Sequence, residues 1–137
     1  MEQLITPSTV HQFTPATAFT LICGGRVVTI SFDELVRVEK KGRQALLYTK
    51  ESIYRTHRSL EEIMKELPVN NFVRITTRHI IALAYVTRFG KNFVFIYDTL
   101  LPMTRNYKKQ LIRLLGWQLN QSYQTLTHAS RIRTTVQ

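Results

Sequence analysis

The chain has 137 residues, 44% of them hydrophobic, and carries 19 Lys and Arg against 9 Asp and Glu for a net charge of +10. That length suits one domain with its own core and leaves no room for a second full one. The charge exceeds what solubility requires and is unevenly laid down: residues 1–70 hold nine basic against eight acidic side chains, residues 71–137 ten against Asp98 alone.

Such segregation points to a polyanionic partner, because a cation placed on a phosphate releases a condensed counterion. Cys23 is the single cysteine, which excludes an internal disulfide and a cysteine zinc site. Its neighbours Leu21 and Ile22 mark it as a small buried hydrophobe. No apolar run reaches the roughly 20 residues that span a bilayer, and the opening MEQLITPSTVHQF has no basic segment followed by an apolar one. The expectation is a cytoplasmic protein with no membrane partner.

Residues 1–19, with Pro7 and Pro15, read as a tail or linker. From Thr20 the pattern turns strand-like: TLIC, a Gly24–Gly25 turn, then RVVTI. Ser31 is placed to cap one helical turn over Phe32 to Glu34, after which Leu35, Val36 and Val38 begin a strand. Lys40, Lys41 and Gly42 form a basic turn into QALLYT, and IYRTH follows the turn at Lys50 to Ser52. Ser59-Leu60-Glu61-Glu62 has capping-box spacing for a helix that Pro68 stops, with Leu60, Ile63, Met64 and Leu67 on one face.

After Asn70 and Asn71 comes FVRITTRHIIALAYVTRF, β-branched except for the polar cluster Thr76 to His79. A strand buried on both faces does not tolerate four polar side chains in succession, so the cluster reads as a loop or strand end facing solvent or a ligand. Gly90 to Asn92 turn the chain into FVFIY, Asp98 and Thr99 turn it again, and Thr104 caps a last helix that Gly116 is placed to end, with Trp117, Leu119 and Tyr123 able to extend it. Residues 20–116 are thus read as the domain and 117–137 as a C-terminal extension. The fold class is mainly β, a β-rich α+β domain of about eight short strands with two helices.

Catalytic and metal chemistry find little support. The carboxylates are scattered over turns and one helix face, with no spacing that sets up a general acid/base pair, so no enzyme is expected. His11, His57, His79 and His128 are isolated and share no cysteine, so neither metal nor other cofactor is expected. Gly24–Gly25 has no P-loop lysine after it, which leaves no small-molecule phosphate site.

Nucleic-acid chemistry recurs instead at three turns or element starts. These are Lys41, Arg43 and Gln44; Thr76, Thr77, Arg78 and His79; and Arg105, Asn106, Lys108 and Lys109. Arg, Gln and Asn pair bidentately with base edges in the major groove, while Lys and hydroxyl groups hold phosphate. The two helices lie about forty residues apart, so no helix-turn-helix is present and readout falls to loops on a β scaffold. The aromatic and basic interleaving of an RRM is also missing.

Residues 20–115 resemble the LytTR DNA-binding domain of bacterial transcription regulators. The resemblance rests on Phe32-Asp33-Glu34-Leu35 with Val38-Glu39, the Arg58-Ser59-Leu60-Glu61-Glu62 helix start, FVRI with its following strand, and LPMTRNYKKQLIRLL. It implies a β-rich fold whose loops enter successive major grooves of double-stranded DNA, with the arginine at Arg105 reading a base and Arg43 or Gln44 in a third contact region after the first hairpin. It also implies two copies on repeated half-sites. The family's R-I-H-R-S-Y-I-V-N segment corresponds to Arg74 through Ala82, where Thr76, Thr77, Arg78, His79 and Ala82 depart from it. A partner-binding or inhibitory module that has lost base readout through those changes is the alternative.

Overall fold

The computed structural model describes residues 17–125, with side chains described as far as Gly116. Strands β1 (Ala18–Cys23) and β2 (Arg26–Ser31) form a hairpin closed by Gly24 and Gly25 at φ 60° and 79°, a left-handed pair open to glycine at no steric cost. β3 (Leu35–Lys41), β4 (Gln44–Thr49), β5 (Ile53–Thr56), β6 (Phe72–Thr76) and β7 (His79–Ala82) make an antiparallel sheet of order β5-β4-β3-β7-β6. A third sheet, β10-β9-β8, holds β8 (Val86–Phe89), β9 (Phe93–Ile96) and β10 (Thr99–Pro102). Helix α1 (Leu60–Glu66) links β5 to β6, a 3-10 turn (Leu83–Tyr85) follows β7, and α2 (Arg105–Thr125) follows β10.

The five-stranded sheet is covered on both faces. On one, Leu35, Val38, Leu47 and Ile80 pack with Leu60, Ile63 and Leu67 of α1 and with Phe19, Leu21, Cys23 and Ile30 of the hairpin. On the other, Val36, Val73, Ile75 and Ile81 pack with Val94, Ile96 and Leu101 of the third sheet and with Leu111 and Leu114 of α2. Alternation along each strand supplies the two faces, Ile80 to one core and Ile81 to the other. Burial pushes the Cys23 thiol up, so it stays protonated as a packing group.

The strand-rich class holds, with four local differences. β1 takes in Ala18 and Phe19, which the sequence reading left in the tail, because Phe19 is buried against Phe32 at 5.3 Å between ring centroids. Phe32 to Glu34 form a hydrogen-bonded turn instead of a helical one, the Glu34 N–H donating to the Ser31 carbonyl at 3.0 Å. Thr99 lies in β10 and not in a turn, since Leu101 is drawn into the second core. Gly116 does not end α2, which runs on to Thr125; one helical glycine costs only about 1 kcal/mol relative to alanine, and no positive φ breaks the helix there. The remaining tail residues and the basic end ASRIRTTVQ lie outside the described residues.

Helix α1 has the capping box read from the sequence: the Glu62 N–H donates to the Ser59 hydroxyl at 3.1 Å and the Ser59 N–H to the Glu62 carboxylate at 3.0 Å. Ser59→Ala is expected to lower stability by about 1 kcal/mol. Ile63→Ala, which empties a fully buried site between α1 and the sheet, is expected to lower it by about 2–5 kcal/mol. Urea unfolding midpoints at unchanged slope provide the comparison, and an Ile63 effect no larger than the cap's would mean that α1 is not part of the cooperative core.

Candidate nucleic-acid interface

Antiparallel pairing brings the first two basic segments to one end of the sheet. The turn Lys41–Gly42–Arg43 closes β3 and β4, with Gly42 at φ 63°, and Thr77–Arg78 closes β6 and β7. β3 and β7 are neighbours, Glu39 standing opposite His79. The turns are tied directly: the Lys40 N–H donates to the Arg78 carbonyl at 2.8 Å, and the Arg78 guanidinium donates to the Lys40 carbonyl at 3.2 Å. At a strand spacing of 4.7–4.9 Å the two turn tips lie about 10 Å apart.

The third segment reaches the same end through an irregularity in β6. The β6–β7 register shifts between Arg74 and Thr76, leaving Ile75 without a ladder partner. Its carbonyl accepts the Thr104 N–H at 2.8 Å and the Thr104 hydroxyl at 3.4 Å. The hydroxyl expected to cap α2 is therefore turned to β6, and that contact seats Arg105 and Asn106 beside the second turn. Lys41, Arg43, Thr77, Arg78, Arg105, Asn106 and Lys109 are exposed, and Gln44, His79 and Lys108 half-buried. The row across the molecule runs Arg43, Arg78, Arg105.

The described carboxylates are kept from this end by topology and by pairing. Asp33, Glu34, Glu51 and Asp98 occupy the turns at the opposite end of the strands, where the Lys50 N–H donates to the Glu34 carbonyl and the Tyr85 hydroxyl donates to the Asp33 carbonyl. The other described carboxylates are engaged: Glu39 with Arg37 at 3.1 Å, Glu61 with Arg74 at 3.2 Å, Glu66 with Arg58 at 2.5 Å, and Glu62 in the α1 cap. No ion pair forms at Lys41, Arg43, Arg78 or Arg105 among the described residues.

Two residues of the second segment face inward. Thr76 is 8% exposed; its hydroxyl accepts the Arg78 N–H at 2.9 Å and meets His79 Nδ1 at 2.8 Å. His79 Nε2 lies 3.9 Å from Glu39, which also accepts from Arg37, itself stacked 3.7 Å above the Tyr48 ring. The hydroxyl can meet Nδ1 as donor or as acceptor, so the contact accommodates either tautomer of the neutral ring. Thr76 and His79 thus shape the turn, and Thr77 and Arg78 face outward from it.

Sequence reasoning missed the brace on this turn, the Arg74 guanidinium donating to the Thr77 carbonyl at 2.6 Å while it pairs with Glu61. The signal was an arginine at an inward position of β6, facing the acidic first turn of α1. It also passed over two exposed cations at this end, Arg26 at the start of β2 and Lys91 in the β8–β9 turn. An open cleft of about 960 Å³ between the β1–β2 hairpin and β5 is lined by Ile22, Val27, Gln44, Arg55 and His57. Among the described residues no group of His, Cys, Asp and Glu gathers to hold a metal ion, and no helix is long and apolar enough to cross a membrane.

Burial lowers the His79 pKa; the Glu39 carboxylate opposes this, and Arg37 and Arg78 add to it. Burial pushes Glu39 up, but the Arg37 hydrogen bond, then His79, the Arg37 charge and Lys41 hold it below the usual carboxylate range. Because the unfolded chain binds a proton at His79 before the folded one does, that contribution to stability is complete above about pH 6.5 and falls away as the pH drops below it. Glu39 adds a second loss at lower pH, as the pH falls through its depressed folded value. His79→Gln is expected to flatten the decline in Tm between about pH 6.5 and pH 5; an unchanged decline would mean that the ring is not sheltered.

The LytTR family pattern, described as the LytTr DNA-binding domain, matches residues 25–116. Among solved structures, the LytTr DNA-binding domain of a protein described as a methyl-accepting/DNA response regulator from Bacillus cereus superposes with a TM-score of 0.64 at 18% sequence identity, over 74% of this chain and 98% of that one. No curated protein matches. That family is a DNA-binding one and not an enzymatic one, and its pattern takes in the turns that carry Arg43, Arg78 and Arg105; the chain belongs to the LytTR DNA-binding domain family.

Proposed function

We propose that the protein is a sequence-specific regulator of transcription that binds double-stranded DNA through the row Arg43, Arg78, Arg105, without a cofactor and in the cytoplasm. The observation that carries the reading is the convergence of three separately encoded basic segments on one end from which the described carboxylates are displaced or paired. Arg43 with Gln44 at one end of the row and Arg105 with Asn106 at the other are the base-reading groups, entering successive major grooves. Thr77 and Arg78 face the stretch of duplex between them. Lys41, Lys108 and Lys109 hold phosphate, being flexible point charges beside the reading loops. Two copies on repeated half-sites give such a short row its specificity.

Arg105 is the sharpest element of this reading. Its backbone leaves a segment anchored on Ile75, so the guanidinium starts from a fixed origin. It also stands in the first turn of α2, where the helix dipole disfavours a cation unless an external anion or base compensates. Selection of bound duplexes from a random pool defines the preferred site. On that site Arg105→Ala is expected to weaken binding by about 1–3 kcal/mol and to relax preference at one base pair, with Tm little changed. Equal loss on every sequence would make Arg105 a phosphate contact. No preference over bulk DNA in the wild type at about 150 mM salt would favour a partner-binding module instead.

Lys108 and Lys109 give a different signature. Neutralising both is expected to weaken all duplexes alike and to lower the slope of log affinity against log salt by up to about two units. An unchanged slope would place them off the DNA.

A further inference from the structure

The turn between β8 and β9 has no part in the row, yet it is firmly built. The Gly90 N–H donates to the Phe93 carbonyl at 3.0 Å, and the Phe93 ring covers Gly90 so closely that a Cβ there would stand 2.2 Å from it. That ring packs edge-on to Phe95 at 5.7 Å, on which Arg88 stacks at 4.2 Å. The Asn92 carbonyl accepts the Met103 N–H at 3.0 Å, immediately before the Thr104 that is anchored on Ile75. That hydrogen bond ties the Lys91–Asn92 turn to the chain two residues before Arg105. Lys91 and Asn92 are exposed, with no side-chain partner among the described residues. Asp98, the one carboxylate of the three-stranded sheet, sits at its other end, in the β9–β10 turn.

Resting on the reading above, we propose that this turn is a fourth DNA-contacting element, in which Lys91 and Asn92 hold the sugar–phosphate backbone next to the base pair read by Arg105. An unpaired cation and an amide, presented by a turn locked to the Arg105 segment, are placed where a strand passing that arginine carries its next phosphates. A lysine suits phosphate better than a base edge, since its ammonium is a flexible point charge. Because the turn lies beyond Arg105, it lengthens the contact on that side only.

The test uses the full chain and the duplex selected from the random pool, with affinity measured across a range of salt. Lys91→Ala is expected to lower the salt slope by about 0.9, a loss of roughly fivefold at 0.15 M salt, without change of sequence preference. Asn92→Ala is expected to weaken all duplexes alike. On a duplex trimmed just beyond the Arg105 base pair, wild type and Lys91→Ala converge. An unchanged slope for Lys91→Ala, with Arg105→Ala still relaxing specificity, overturns the fourth contact and leaves the row standing. If Arg105→Ala also leaves both affinity and specificity untouched, the row fails and the fourth contact fails with it.

Discussion

The basic end depends on one backbone group, the carbonyl of Ile75. In an uninterrupted β6–β7 ladder that oxygen would be taken up by strand pairing; the register shift at Arg74 to Thr76 releases it to receive Thr104. Without that contact α2 would still bury Leu111 and Leu114, but its start would be tied only to the third sheet, through Met103, and not to the five-stranded one. The same shift sets Thr76 opposite His79, which closes the hydroxyl–imidazole contact behind the second turn. One extra residue in a strand thus positions two of the three predicted segments relative to each other. The Lys40–Arg78 hydrogen bonds bring in the first.

Charge placement follows from the same topology. Strands that run up and down deliver alternate turns to opposite ends, and here the acidic turns all fall on one end and the basic turns on the other. The carboxylates that strand and helix positions bring near the basic end are held by Arg37, Arg74, Arg58 and the α1 cap. Breaking such a pair from the arginine side would release an acid beside the basic end, so those arginines keep that end free of unpaired acids. Glu39 illustrates the balance: removing Arg37 would leave its carboxyl half-buried beside a neutral His79.

Most of this was legible in the chain because the patterns are local. The alternating strands, the Gly24–Gly25 and Gly42 turns and the Ser59 capping box each depend on a few adjacent residues. The three basic segments were also legible, since charge and amide content need no fold to be noticed. Their convergence was not, because it depends on strand order and on a bulge that no residue type announces. The inward turn of Thr76 and His79 was hidden for the same reason: a polar run reads as exposed until the register shows that two of its four members face each other across a hairpin. β10 was missed because Pro102 and a four-residue length weaken the strand signal, and the passage of α2 through Gly116 because a glycine late in a helix usually marks its end.

The free protein holds its cations where they destabilise it. Arg105 lies in the first turn of α2, where unsatisfied N–H groups already carry positive potential and such a charge costs about 0.3–1 kcal/mol at a surface site, and Lys108 and Lys109 follow it in the next turn. Arg43 and Arg78 add like charge across about two strand spacings, or 10 Å, close to one Debye length at 0.1 M salt. Stability alone would favour acids in these places, since Asp or Glu at the start of α2 would complement the dipole, as Glu61 and Glu62 do in α1. The two helices of one chain therefore obey opposite charge rules at their N-termini. The α1 start is completed from within by Ser59 and its own glutamates; that of α2 is left positive, and a polyanion brought against it relieves both the dipole and the repulsion at once. The energy withheld from folding at that end becomes available to binding, and most so at low salt, where the repulsion it relieves is least screened.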